Sequence, residues 1–179
     1  MPLSYCNTDN VIVGGAVLCL DGTSLGLTSG GVTVRQESEF GEVLADQLNG
    51  VAKKFRSLER FFVATSLLEV TLDKLLLAFG YPSANMTSAT VLCLGYNSAC
   101  FLNEKQLVVK GPGPGCGCRT FVFDRVTNVQ TTVEYQMFRD QATQLAIEFE
   151  CLKSCETGFF GCITDGCTFQ ESLDCDAPA

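Results

Sequence analysis

Residues 143–150 (TQLAIEFE) set Leu145, Ile147 and Phe149 against Gln144, Glu148 and Glu150 on alternating positions. A half-buried β-strand sorts side chains with that period, because successive residues point to opposite faces. The alternation recurs in residues 129–138 (VQTTVEYQMF), where Val133, Tyr135 and Met137 oppose Thr132, Glu134 and Gln136. A third run rich in β-formers, residues 119–125 (RTFVFDR), comes just before, and short polar breaks at 126–128 and 139–142 separate the three. The pattern predicts a β-meander with one dry face and one acidic, wet face.

Upstream the same reading continues. Residues 11–20 and 25–27 flank Asp21-Gly22-Thr23, a hairpin turn sequence, and Ser29-Gly30-Gly31 is a second break. Residues 32–40 (VTVRQESEF) alternate, with Val32, Val34 and Gln36 on one face and Thr33, Arg35, Glu37 and Glu39 on the other. Residues 41–57 show neither clean period and end in the basic cluster Lys53, Lys54 and Arg56. They read as a long excursion between strands, of a length that usually contacts a partner.

Residues 58–68 resume as a strand. Residues 71–79 then place Leu72, Leu75, Leu76 and Phe79 at helical spacing, between the N-cap candidate Thr71 and the stop Gly80…Pro82. Further strands are predicted at 89–96, 103–110 and 159–164. One main domain over 11–165 follows, with an N-terminal arm at 1–10 and an acidic, cysteine-containing tail at 166–179. Strands, one helix and more strands, with no regular βαβ alternation, predict a mainly β fold: an antiparallel sandwich or flattened barrel with one flanking helix.

Composition narrows the function classes. There is no histidine, which removes the commonest general base and the Ser-His and Cys-His nucleophile pairs. Net charge is −8, a balance that repels phosphate backbones and argues against tight nucleic-acid binding. No run reaches the roughly 18 apolar residues of a membrane span. The N-terminus lacks the basic and apolar regions of a secretory signal, which predicts a protein made without classical secretion.

Two local patterns favour structural readings. Gly111–Gly117 (GPGPGCG) lacks the lysine and hydroxyl of a phosphate loop and reads as a turn between strands. The pairs Glu37 with Glu39 and Glu148 with Glu150 have the chemistry of a glycosidase couple. Each pair lies in a series of polar residues on one strand face, and the chain has no tryptophan for a sugar platform; a solvated face is the better account. No catalytic residue, cofactor or metal is assigned.

Eleven cysteines are an unusual number for a chain without a secretory signal. None forms a CxxC pair. Disulfides are the favoured reading, with Cys116, Cys118, Cys151, Cys155, Cys162, Cys167 and Cys175 as candidates; an all-thiolate zinc site drawn from several loops is the alternative.

Over residues 30–80 and 107–165 the chain resembles the tail tube (major tail) proteins of tailed bacteriophages. The resemblance rests on GGVTVRQESEFGEVLADQ, on RFFVATSLLEVTLDKLLLAFG with its strand running straight into a helix, on the run from LVVKGPGPGCGC to AIEFECL, and on GFFGCITD. It implies a structural virion protein without enzymatic activity, assembled in the host cytoplasm as commonly hexameric rings. The rings stack into a tube with a continuous inner β-barrel through which double-stranded DNA passes, and tape-measure and tail terminator proteins are the implied partners.

On this sequence the resemblance makes 32–40, 59–68, 129–138 and 143–150 the lumen strands. Arg35, Glu37, Glu39, Glu134, Gln136, Gln144 and Glu148 would face the bore. Residues 41–57 would be the loop touching the next ring, with Lys53, Lys54 and Arg56 attracting an acidic neighbour. The inner tube of a contractile injection or secretion system shares the implied architecture and is the alternative within the class. A cysteine-stapled or zinc-holding binding module is the alternative outside it.

Overall fold

In the computed structural model the described residues are 15–45, 50–95, 103–114, 117–135, 139–140, 142–168 and 175. The expected N-terminal arm, Gln136, Cys116 and most of the expected tail lie outside them. Ten strands and one helix follow in chain order: β1 (Val17–Leu20), β2 (Thr23–Ser24), β3 (Thr28–Ala45), β4 (Gly50–Leu67), α1 (Leu72–Ala78), β5 (Met86–Ser88), β6 (Val91–Leu92), β7 (Lys105–Pro112), β8 (Gly117–Asn128), β9 (Leu145–Cys151) and β10 (Cys162–Thr168). The fold is mainly β and antiparallel, with one α-helix.

Eight strands form one sheet in the order β2-β1-β7-β8-β9-β4-β3, and β10 joins β8 off that path. The strands expected at 32–40, 58–68 and 143–150 lie in it. The predicted alternation is borne out in β9: Leu145, Ile147, Phe149 and Cys151 are buried, while Ala146, Glu148 and Glu150 are not. These side chains join Leu18, Val63, Leu67, Leu107, Val126 and Ala78 of the helix in a single core cluster. The sheet therefore curls around one dry interior, against which the helix lies.

Local chemistry fixes the ends of the elements. Asp21 and Gly22 both take positive φ, at 49° and 75°, and close the β1–β2 hairpin as its sequence predicts. The helix ends as its glycine predicts. Gly80 sits at φ 67°, its N–H donates to the Leu77 carbonyl, and the Tyr81 N–H donates to that of Leu76. These two bonds are the Schellman pair that satisfies the last carbonyls of a helix. A residue from the sheet completes the cap: Asn128 Nδ2 donates to the carbonyls of both Leu77 and Ala78, at 2.7 and 2.8 Å.

Five expectations need correction. Residues 41–57 are not an unstructured excursion. All of them that the structure describes lie in β3 and β4, which run as one long hairpin. Apolar residues there alternate on both faces, so no single-face period is visible.

Residues 126–128 are not a break, since β8 runs through to Asn128. Residues 129–135 are not a strand. Asn128 uses its amide on the helix and its carbonyl oxygen to accept the Gln130 N–H, which turns the chain out of the ladder. Glu134 is thus exposed outside the sheet and does not share the meander's wet face.

Of the strand expected at 89–96, the described residues keep only β6, whose partner among them is β5. The last strand begins later than predicted and runs to Thr168, into the segment read as tail.

Candidate assembly surface

The β3–β4 hairpin is the feature from which a site can be built. Both strands are 18 residues long, but β9 pairs with β4 only over 61–67. Residues 50–60 of β4 have β3 as their sole strand partner among the described residues. At about 3.3 Å per residue that free portion is about 36 Å long. Among the described residues β3 pairs only with β4, so none of them covers its outer edge.

A two-stranded ribbon is marginally stable in water by itself, and an open strand edge is a template for pairing. This one also exposes Phe40, Val43, Leu44, Val51, Phe55 and Leu58. Phe55 lies over Gly41, where a Cβ would come within 2.5 Å of its ring. A glycine thus makes room for an aromatic at the projecting end. The ladder shifts register between Glu39 and Phe40 and again between Val43 and Leu44, and such bulges sharpen the ribbon's twist.

The wet face lies at the hairpin's root. Register aligns Thr33 with Ala64 and Glu148, and Arg35 with Phe62 and Glu150, so three neighbouring strands contribute to one surface. Arg35, Glu37, Glu39 and Glu148 lie together there, as the alternation predicts. Gln144 is exposed just before β9.

The face is knit by charge. Arg35 reaches Glu37 at 3.1 Å and Glu148 at 3.0 Å, and Arg60 stands 3.9 Å from Glu150. The Arg35 guanidinium also covers the Phe62 ring at 4.9 Å. That cover explains how an aromatic on the wet side is only 8% exposed. Four glutamates against two arginines leave the face acidic overall.

The basic cluster is less free than its sequence suggests. Lys54 pairs with Glu42 across the hairpin at 2.6 Å, and Arg56 pairs with Glu59 at 2.6 Å. Lys53 has no ion-pair partner among the described residues.

The cysteines divide. Cys175 is bonded to Cys19, a residue outside the candidate set, and Cys118 is also disulfide-bonded. Cys151, Cys155 and Cys162 carry free thiols, contrary to the expectation that they are bridged. Cys151 is sealed into the core, where burial, and then the Glu150 charge, push its thiol up to about 12. Cys155 and Cys162 are exposed, with Cys155 accepting from Arg125 Nη1 at 3.2 Å. The side chain of Cys167 lies outside what the structure describes. Cys19 is buried on the face of β1 opposite the core residues Leu18 and Leu20, and nothing in the sequence marks it as the partner of Cys175. Among the described residues no cluster of acidic and thiol side chains is arranged to hold a metal ion.

Strong pairs elsewhere tie loops to strands. Arg125 makes a bidentate bond to Glu104 at 2.7 and 2.8 Å and holds its carboxyl below the usual range. Arg119 grips Asp165 of β10 at 2.7 Å through each oxygen, with the same effect.

No family model matches the chain, and no curated protein matches it. Among solved structures it is similar to a chain of the PVC extracellular contractile injection system, in the sheath–tube complex in its extended state. Identity is 7% and the TM-score 0.49, over 91% of this chain and 100% of that one. It is also similar to the cap that terminates the tube of the anti-feeding prophage, at 8% identity and TM-score 0.46, over 93% of this chain and 95% of that one. Neither likeness reaches the level at which a match speaks to function. What the chain does has to be read from its own surface.

Proposed function

We propose that this chain is the repeating subunit of a phage-type tail tube, built from stacked rings, commonly hexameric, around a bore that conducts double-stranded DNA. The observation that carries the reading is the hairpin. It extends about 36 Å beyond the sheet, with no strand among the described residues on the outer edge of β3 and with Phe40, Leu44 and Phe55 exposed. Such an element is costly for a lone soluble subunit and is accounted for by a neighbour that covers it.

The wet face on β3, β4 and β9 supports the same reading. Surplus carboxylates at Glu37, Glu39, Glu148 and Glu150 would repel a nucleic-acid backbone in transit, so DNA would slide past without binding. Tape-measure and terminator proteins would meet the ends of such a tube. The inner tube of an injection machine would use the same surfaces for another cargo, and no feature of the face favours it.

Sedimentation of the purified chain across a concentration series tests self-association. Reversing Lys53 and Lys54 to glutamate is expected to weaken stacking while leaving the fold intact, chiefly through Lys53, since Lys54 already has a partner. Assemblies of unchanged length in that variant would remove the hairpin charges from the contact between rings.

A further inference from the structure

The sheet forks where β9 ends. Beside β8, residues 126–128 pair with β9, whereas residues 117–122 pair with β10 on the same side. Between the two, residues 152–161 leave the ladder, and Gly161 passes so close to the Val122 carbonyl that a Cβ would collide with it. One prong is the free part of the β3–β4 hairpin; the other is β7, β8 and β10. Among the described residues the β10 edge away from β8 and the β4 edge along residues 50–60 have no strand partner.

The crotch of the fork is an aromatic groove of about 430 Å³. Its floor is Phe61 against Phe160, with ring centroids 5.1 Å apart, beside the stacked Phe121 and Phe123. Its rim is Phe159 and Ile163, which are 66% and 65% exposed. Apolar side chains that exposed around an open cleft mark a contact site.

We propose that this groove receives the projecting hairpin of a second copy of the chain, which gives the subunits a head-to-tail contact. The inference rests on the tube reading and adds the receiving surface to it. Three observations single out this occupant. The hairpin is a ribbon with unpaired edges, the shape a fork with unpaired edges admits. It carries Phe40, Leu44 and Phe55 in solvent, the side chains an aromatic groove would bury. Its Lys53 matches Glu156: among the described residues neither has an ion-pair partner, and Glu156 stands exposed in the turn that borders the groove between its lining residues Lys153 and Gly158.

Area agrees. A ribbon about 36 Å long and about 10 Å wide offers roughly 350 Å² per face, so side chains seated in the groove and a second face against the walls of the fork together approach the roughly 800 Å² per partner of a stable interface. Knob and groove are different surfaces of one chain, so the contact is heterologous and repeats from copy to copy without using itself up.

Two variants of the full chain test this. Ile163→Arg closes the groove but leaves the hairpin, and Leu44→Asp spoils the hairpin but leaves the groove. Both positions are exposed, and retention of wild-type circular dichroism and thermal unfolding confirms the fold. Each variant alone is expected to self-associate at least about tenfold more weakly than wild type. Mixed, they are expected to form a heterodimer that grows no further, since only one intact hairpin and one intact groove remain. Ile163→Arg assembling like wild type would overturn the groove while leaving the tube reading standing. Wild-type chain that stays monomeric would overturn both.

Discussion

Arg35 Nη2 donates to Glu148 Oε1 at 3.0 Å, and the two residues belong to strands that are not neighbours. β4 lies between them, and the arginine crosses it over the Phe62 ring to reach β9. One side chain thus locks the root of the long hairpin to the body of the sheet and shields an aromatic on the wet face.

Replacing Arg35 with alanine is therefore expected to cost about 0.5–1.5 kcal/mol, summing a partly exposed ion pair and a cation–π contact. A double-mutant cycle with Glu148→Gln should give a coupling of about 0.2–1 kcal/mol that shrinks as salt is raised. Urea unfolding of the four proteins measures it. A coupling of zero would mean that the bridge does not secure the hairpin.

Asn128 holds the helix by its last two carbonyls. Asn128→Ala leaves the Ala78 carbonyl without its side-chain donor and the Leu77 carbonyl with the Gly80 N–H alone, and a loss of about 1–3 kcal/mol is expected. Amide exchange separates this from a general loss of stability. The N–H groups of Phe79, Gly80 and Tyr81 should lose protection first, while those of β9 keep theirs.

Cys19 and Cys175 are 156 residues apart in sequence, so their bond closes almost the whole chain. Removing such a bridge commonly costs about 2–5 kcal/mol. Thermal unfolding with and without reductant should show the drop, to which the Cys118 bridge also contributes, and Cys175→Ser without reductant should isolate the share of the Cys19–Cys175 bond. An unchanged midpoint would show that the bond adds nothing to the folded state.

Acid should loosen the loops before the core. Glu69, bonded to Lys74, and Glu104, bonded to Arg125, lie below their ordinary 4.5; Asp165, bonded to Arg119, lies below its ordinary 3.8. For a carboxylate with a depressed folded-state value, the stability it supplies is present above the unfolded value and is lost as pH falls through the folded one. The melting temperature should thus hold from neutrality down to about pH 4.5 and decline below it. The decline should be shallower in Glu104→Gln, because that carboxylate no longer titrates.

The strand faces were legible because burial on one side imposes a period of two. Val34 against Arg35, and Phe149 against Glu148, could be sorted from sequence alone, and the helix was legible from its leucine spacing and Gly80. The hairpin was not, because Phe40, Leu44, Val51 and Phe55 put apolar groups on both faces and so erase that period. The misreading of 129–135 has a different cause. Val133, Tyr135 and Met137 alternate as in a strand, but a single asparagine spent on the helix takes the chain out of the ladder before the pattern can act. Cysteine pairing was illegible because the partners of a bridge are chosen by the fold and not by their spacing.

The most direct test of the account is electron microscopy of the purified wild-type chain at increasing concentration. It predicts tubes with a central bore and a regular axial repeat, growing in length as concentration rises. Separate single subunits at every concentration, with the hairpin left in solvent, would contradict it.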